Sequence, residues 1–163
     1  MRLERLSRAA GVSKALIYAY FPTQYDLFNA VLADAFAALA ASGLEAASRA
    51  PTLEAAATVC AELYFEQVAT AGPVVHAILR DAFMRERIEA ENRLFRDRIM
   101  RRLARLVRRE LELPAKEAVA ALNLVVTIPE QAGRLVWSGE LDRERARTLM
   151  IELVAASLAA FRA

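Results

Sequence analysis

Four side chains near the start of the chain, Lys14, Ala15, Tyr18 and Tyr20, have the types and spacing for contact with double-stranded DNA. A lysine donates to guanine O6 and N7, and an alanine methyl packs on a thymine methyl. Tyrosine hydroxyls donate to phosphate oxygens, which fixes register without reading sequence. Arg5 and Arg8 are further phosphate donors. The surrounding punctuation makes these residues a candidate interface. Gly11 falls where the chain must turn sharply, and glycine takes left-handed angles without steric cost. Ser13 is placed to cap a second short helix through its hydroxyl. Leu6, Ala10, Val12, Ile17 and Phe21 supply an apolar seam between the two helices. The layout is a helix, a turn and a second helix whose N-terminal residues would meet base edges in the major groove.

The wording of this run is specific. Ala10-Gly11-Val12-Ser13, Ile17-Tyr18 and Tyr20-Phe21 closely resemble the DNA-reading segment of the tetracycline-repressor (TetR) family of bacterial transcriptional regulators. The resemblance implies an all-α fold with a helix-turn-helix module on a larger helical bundle. It further implies DNA contacts from Lys14, Ala15, Tyr18 and Tyr20, with Ser13, Gln24 and Arg5 beside them. Three departures stand out. The family places a full helix before this point, whereas here Met1 lies at the lip of the motif, so a truncated start is expected. Without that helix Leu3, Leu6, Ile17 and Phe21 should expose apolar surface. Arg2 stands where the family carries a capping serine or threonine, and Gln24 where it carries a phosphate-binding lysine.

The rest of the chain must hold this segment in place. Of 163 residues 56% are hydrophobic and only five are glycine and five proline, a composition for helices and one sizeable core. A net charge of +2 neither requires nor excludes nucleic acid. The single cysteine, Cys60, excludes an intrachain disulfide and fits a reducing compartment. No signal peptide or apolar run of spanning length is visible, so a soluble cytoplasmic protein is expected.

Breakers divide the chain into helices over about 23–49, 53–71, 89–112, 115–137 and 142–161, with a segment over about 74–87 between the second and third and with Thr23 and Asp142 as N-caps. We divide it into a DNA-binding region with its connecting helix, 1–49, and a helical ligand-binding and dimerisation domain, 50–163. The stretch from Ala118 to Ile128 is apolar on nearly all sides and should be buried all round. Pro129 should kink its helix near Thr127. The last helix carries a stripe of Leu149, Met150, Leu153, Val154, Leu158 and Phe161 flanked by small alanines. The family resemblance implies that these last two helices form a homodimer face, although the same stripes would also complete a monomer's core.

The resemblance also implies a cavity for a small apolar effector. Asn123 and Thr127 lie four apart, and Tyr64, Gln67, Phe83, Phe95 and Trp137 are candidates for the same space. Ordinary core packing with hydrogen-bonded polar groups accounts for them equally well. One histidine (His76) and one cysteine do not make a metal site, and no catalytic constellation or cofactor motif is present. The arginine run from Arg93 to Arg109 alternates with apolar residues at helical spacing, so it reads as a solvated helix face. The reading is a ligand-responsive DNA-binding repressor acting on an operator as a homodimer. The alternative is a helical small-molecule-binding or dimerisation protein that has lost DNA binding.

Overall fold

A computed structural model of the chain describes residues 3–84 and 86–162, and these hold ten helices and no strand. Arg2 lies outside the described residues, as does the side chain of Leu3. The first helix, α1 (Leu3–Ala10), ends at Gly11, whose φ of +66° is left-handed. There the Gly11 amide donates to Arg8 O at 3.3 Å and the Val12 amide to Ser7 O at 3.0 Å. These are the paired bonds that close a helix around a left-handed residue and satisfy its last carbonyls. The next helix, α2 (Lys14–Tyr20), opens on Ser13, whose Oγ accepts from the Leu16 amide at 3.1 Å.

Thr23 opens α3 (Gln24–Ala41) with a reciprocal cap: its hydroxyl accepts from the Asp26 amide, and the Asp26 carboxylate accepts from the Thr23 amide at 2.8 Å. The long helix read from the sequence stops early. Ser42-Gly43 ends α3, and a single turn, α4 (Leu44–Ala47), follows at a new angle. Next come α5 (Leu53–Ala71) and a short α6 (Val74–Arg80). Only the first half of the segment read as 74–87 is helical, because the Asp81 carboxylate accepts the Phe83 amide at 2.8 Å and turns the chain. The arginine-rich α7 (Ala90–Glu110) buries Ile99, Leu103, Leu106 and Val107 and turns most of its arginines to solvent, as its periodicity requires.

Beyond Pro114 the expected single helix is two, α8 (Ala115–Val125) and α9 (Thr127–Trp137), followed by α10 (Arg143–Ala160). The break at Val126 has a steric cause. A proline ring clashes with the carbonyl four residues back, here that of Val125, so the helix restarts with Pro129 in its first turn, where no amide is required. The expectation that Ala118 to Ile128 is buried all round is not met. Ala118, Ala121, Leu122 and Val125 are buried, while Val119 and Leu124 are exposed, Leu124 by 64%. Within this one chain α8 has neighbours on one side only.

The helices assemble around α5, which packs against α9 and α10 and also meets α3, α4 and α7. The closest approach is at Gly133 of α9, where a Cβ atom would lie 2.7 Å from Val68 Cβ and 2.9 Å from the Phe65 carbonyl oxygen. The far end of α7 holds the start of α5. Glu110 Oε2 accepts the Leu53 amide at 2.9 Å, and Arg109 donates to Pro51 O at 2.8 Å. Arg109 also donates to Glu110 Oε1 at 2.8 Å, and this bond, then the Leu53 amide, keeps the Glu110 carboxyl below its ordinary range.

The start of α3 is tied to the α6–α7 connection by a polar clamp. Buried Asn29 donates from Nδ2 to Arg87 O at 2.8 Å and accepts the Glu89 amide on Oδ1 at 2.9 Å. Asn92 of α7 donates back to Asn29 O at 3.0 Å, and the Arg87 guanidinium lies 4.7 Å from the centroid of the Tyr25 ring. The side chain thus serves two backbone groups that no helix can satisfy. Asn29→Leu should therefore cost about 2 kcal/mol, the scale of stranding a buried backbone group. The urea midpoint should fall accordingly, and amide exchange at Glu89 should accelerate. An unchanged exchange rate at Glu89 would show that the clamp does not hold the connection.

Candidate functional site

Two places on this scaffold have the geometry of sites. The first is the outer face of α2. Ile17 is buried and Leu6 and Phe21 half-buried, so the head keeps a small seam of its own, separate from the main core. The expected loss of burial is therefore not seen at Ile17. Lys14, Ala15, Tyr18, Tyr20, Ser13, Gln24 and Arg5 are all exposed, Tyr20 by 74%. A phenol ring left that far in solvent gives the fold little by burial, while its hydroxyl and those of Tyr18 and Ser13 sit around one short helix. Gln24 is the first residue of α3, one turn beyond the end of α2.

The second place is a cavity of about 440 Å³ lined by residues of every helix from α3 to α10, a volume suited to a small organic molecule. Its wall is mostly apolar. Phe36 and Leu39 come from α3, Phe95 and Ile99 from α7, and Leu122 from α8. Phe36 and Phe95 stack at a tilt, with centroids 5.2 Å apart. Two polar groups of the wall meet where α6 and α9 come together. Glu130 Oε2 lies 2.5 Å from His76 Nδ1, with Tyr64 nearby on α5. Glu130 is only 4% exposed. Burial pushes its carboxyl above the ordinary range, against the pull of Arg80. Burial, and then Arg80, pushes the His76 imidazole below its own. Burial raises the Tyr64 phenol further, with the Glu130 charge adding to it, so the hydroxyl stays protonated.

Of the residues put forward from the sequence for this space, Tyr64, Phe95 and Asn123 line the cavity. Gln67, Phe83, Thr127 and Trp137 do not. Gln67 faces α3, donating to Ala35 O at 2.9 Å, and its buried Oε1 has no hydrogen-bond partner among the described residues. Thr127 turns its hydroxyl back onto Leu124 O at 2.6 Å, across the helix break that also takes it off the face of Asn123. Phe83, on the α6–α7 turn, is 66% exposed. The Trp137 indole lies against Gly72 at the end of α5 and is half in solvent. Sequence reasoning missed the His76–Glu130 pair, since it weighed His76 only as a metal ligand. One signal was available, since Glu130 is the one charge between Ala118 and Gly133.

An exposed helix-turn-helix face is thus joined through one continuous helix to a bundle with a cavity. The family model of the bacterial regulatory proteins of the tetR family matches residues 1–31, which take in α1, α2 and the start of α3. The match covers the N-terminal module, and it is this part of the chain that is similar to the family. No curated protein and no solved structure matches it. No helix among the described residues is long and apolar enough to cross a membrane.

Cys60 lines the cavity, and burial raises its thiol to about 11. At about pH 8 roughly one thiol in a thousand would then be ionised, and only the thiolate attacks disulfides. In the native protein Cys60 should react with Ellman's reagent at least a hundredfold more slowly than in about 6 M guanidinium. Equal rates would mean that the cavity wall opens freely.

Proposed function

We propose that this protein is a ligand-released repressor that acts as a homodimer, with residues 1–49 on the operator and residues 50–163 holding effector and partner subunit. The observation that carries the reading is the double role of α3. It follows the helix-turn-helix directly and also supplies Phe36 and Leu39 to the cavity wall. A molecule filling the cavity touches the same helix that aims the reading face. Release requires only that the effector bind one α3 position better than the other, with coupling typically about 1–3 kcal/mol.

The dimer reading is supported by what the single chain leaves uncovered. Leu124 of α8 and Leu153 of α10 are exposed by 64% and 54%, on two helices that pack together. Ala155, Ala156, Ala159 and Ala160 face outward beside Leu153 and would allow close helix approach. Helix-turn-helix readers commonly bind two half-sites about one helical turn apart, which a two-fold dimer supplies. A Leu124→Glu/Leu153→Glu protein should sediment as a monomer at concentrations where the parent is a dimer. A double variant that stays dimeric would place the interface elsewhere.

On the DNA face, Lys14 is assigned to base edges and Tyr18 to phosphate, with Ala15, Tyr20, Ser13, Gln24 and Arg5 around them. The assay is fluorescence anisotropy on DNA upstream of the protein's own gene at two salt concentrations. Tyr18→Ala should weaken binding to all sequences alike. Lys14→Ala should also relax base preference. Equal loss of discrimination in both variants would overturn this division of labour. A folded parent with no specific binding would favour a helical small-molecule-binding protein instead.

A further inference from the structure

We propose that the arginine face of α7 is a binding site for a small molecule carrying linked phosphates, separate from the cavity and from the reading face. Leu94, Arg98, Arg101, Arg102 and Arg105 line one shallow depression of about 350 Å³ on the outside of the bundle. The four arginines stand at i, i+3, i+4 and i+7, on one side of the helix. Helical periodicity explains why they lie outside the core, but not what balances their charge. The carboxylate of Glu45, on α4, lies 2.9 Å from Arg102 and 3.4 Å from Arg98. Arg101 and Arg105 have no carboxylate within ion-pair distance among the described residues. One negative charge thus faces four positive ones, and Arg49, 3.7 Å from the same Glu45 oxygen, adds a fifth.

The guanidinium groups are also held in place. Arg101 donates from Nε to Asp97 O at 3.1 Å, and Arg105 donates from Nε to Arg101 O at 3.2 Å. Arg98 likewise turns its Nε to Glu45, while Arg102, whose side chain is only 19% exposed, uses Nη1. In three of the four the anchoring atom is Nε, which leaves the two terminal nitrogens for a ligand. Side chains fixed in advance lose less freedom on binding. The guanidinium fork matches the oxygens of a phosphate in pairs. Arg98 and Arg105 lie about 10 Å apart along the helix axis, too far for one phosphate to bridge, whereas a chain of phosphates brings several forks and several negative charges together.

The position of the face favours a small ligand over the DNA duplex. Helix α7 runs beside α3 in the same sense, since Asn92 meets Asn29, Phe95 meets Phe36, and Arg102 meets Glu45 beyond the end of α3. At about 1.5 Å per residue, Arg98 stands about 17 Å and Arg105 about 27 Å beyond the level of Gln24. The arginines therefore lie on the flank of the bundle, well away from the α2 face.

The test titrates tripolyphosphate calorimetrically into the full chain at about 0.15 M salt, where diffuse surface charge is largely screened. One tripolyphosphate should bind per chain, at least tenfold tighter than orthophosphate. Arg101→Gln/Arg105→Gln should weaken it at least tenfold, whereas Arg145→Gln, at an exposed arginine of α10, should leave it unaltered. Arg101→Lys/Arg105→Lys keeps the charge without the fork and should still weaken binding several-fold. Circular dichroism confirms each fold, and should the glutamine variant not fold, the lysine variant and the parent's preference over orthophosphate decide. Absent saturable binding, an equal loss in Arg145→Gln, or full affinity in the lysine variant would each overturn the proposal, the last by reducing the face to diffuse charge. The salt slope of DNA binding should be the same in parent and glutamine variant. A slope lower by about two units in the variant would give the face to duplex phosphates and overturn the proposal as well.

Discussion

The contact between α5 and α9 at Gly133 is the constraint on which the rest of the bundle depends. With the Phe65 carbonyl and the Val68 side chain already at the limit of approach, no larger residue fits without pushing the helices apart. Overpacking of this kind costs about 1–3 kcal/mol, more than the roughly 1 kcal/mol a helix gains from alanine over glycine. The close approach fixes what lies a turn away on either side. Glu130, one turn earlier, is held inward at the cavity wall, and Trp137, one turn later, comes to rest on Gly72. On the outside, Arg143 and Arg147 of α10 reach Glu66 and Glu62 of α5. Such exposed pairs add little to stability. The order of the bundle is set by the fit of backbone to backbone.

How much of this was legible in the sequence depended on whether the cause was local. Ser13, Thr23 and Asp142 cap helices through amides two or three residues on, and each could be read from residue type and position. The break near Thr127 follows from one proline ring. The end of α3 at Ser42-Gly43 was harder, because the alanines on either side keep a helical pattern going through it. Large aromatic residues misled for a related reason. Phe83 and Trp137 look like core by type, but they sit on a turn and at a helix end, where the neighbours that would bury them are few. His76 and Glu130 meet only because α6 and α9 come together, and no spacing rule connects them.

Charge on the outer surface follows a simpler logic. Glu45 of α4 accepts from Arg102 at 2.9 Å and lies 3.4 Å from Arg98, with Arg49 at 3.7 Å. Its carboxyl is held below the ordinary range, chiefly by the Arg102 bond. One acidic residue thus gathers three arginines that would otherwise repel one another along and beside α7. The single turn of α4 supplies it there because the chain bends at Gly43.

The Asn29 clamp has a mechanical meaning when set beside the cavity. Helix α3 is continuous from Gln24 to Ala41, and it is gripped near, but not at, one end. Measured along its axis at about 1.5 Å per residue, Gln24 lies about 8 Å to one side of that grip and Phe36 about 11 Å to the other. About that grip the two ends of the helix lie on opposite arms, and Gln67 holds the longer arm at Ala35 O. A tilt that carries Phe36 away from the cavity carries Gln24, and the start of the reading face with it, in the opposite direction and by a somewhat smaller distance.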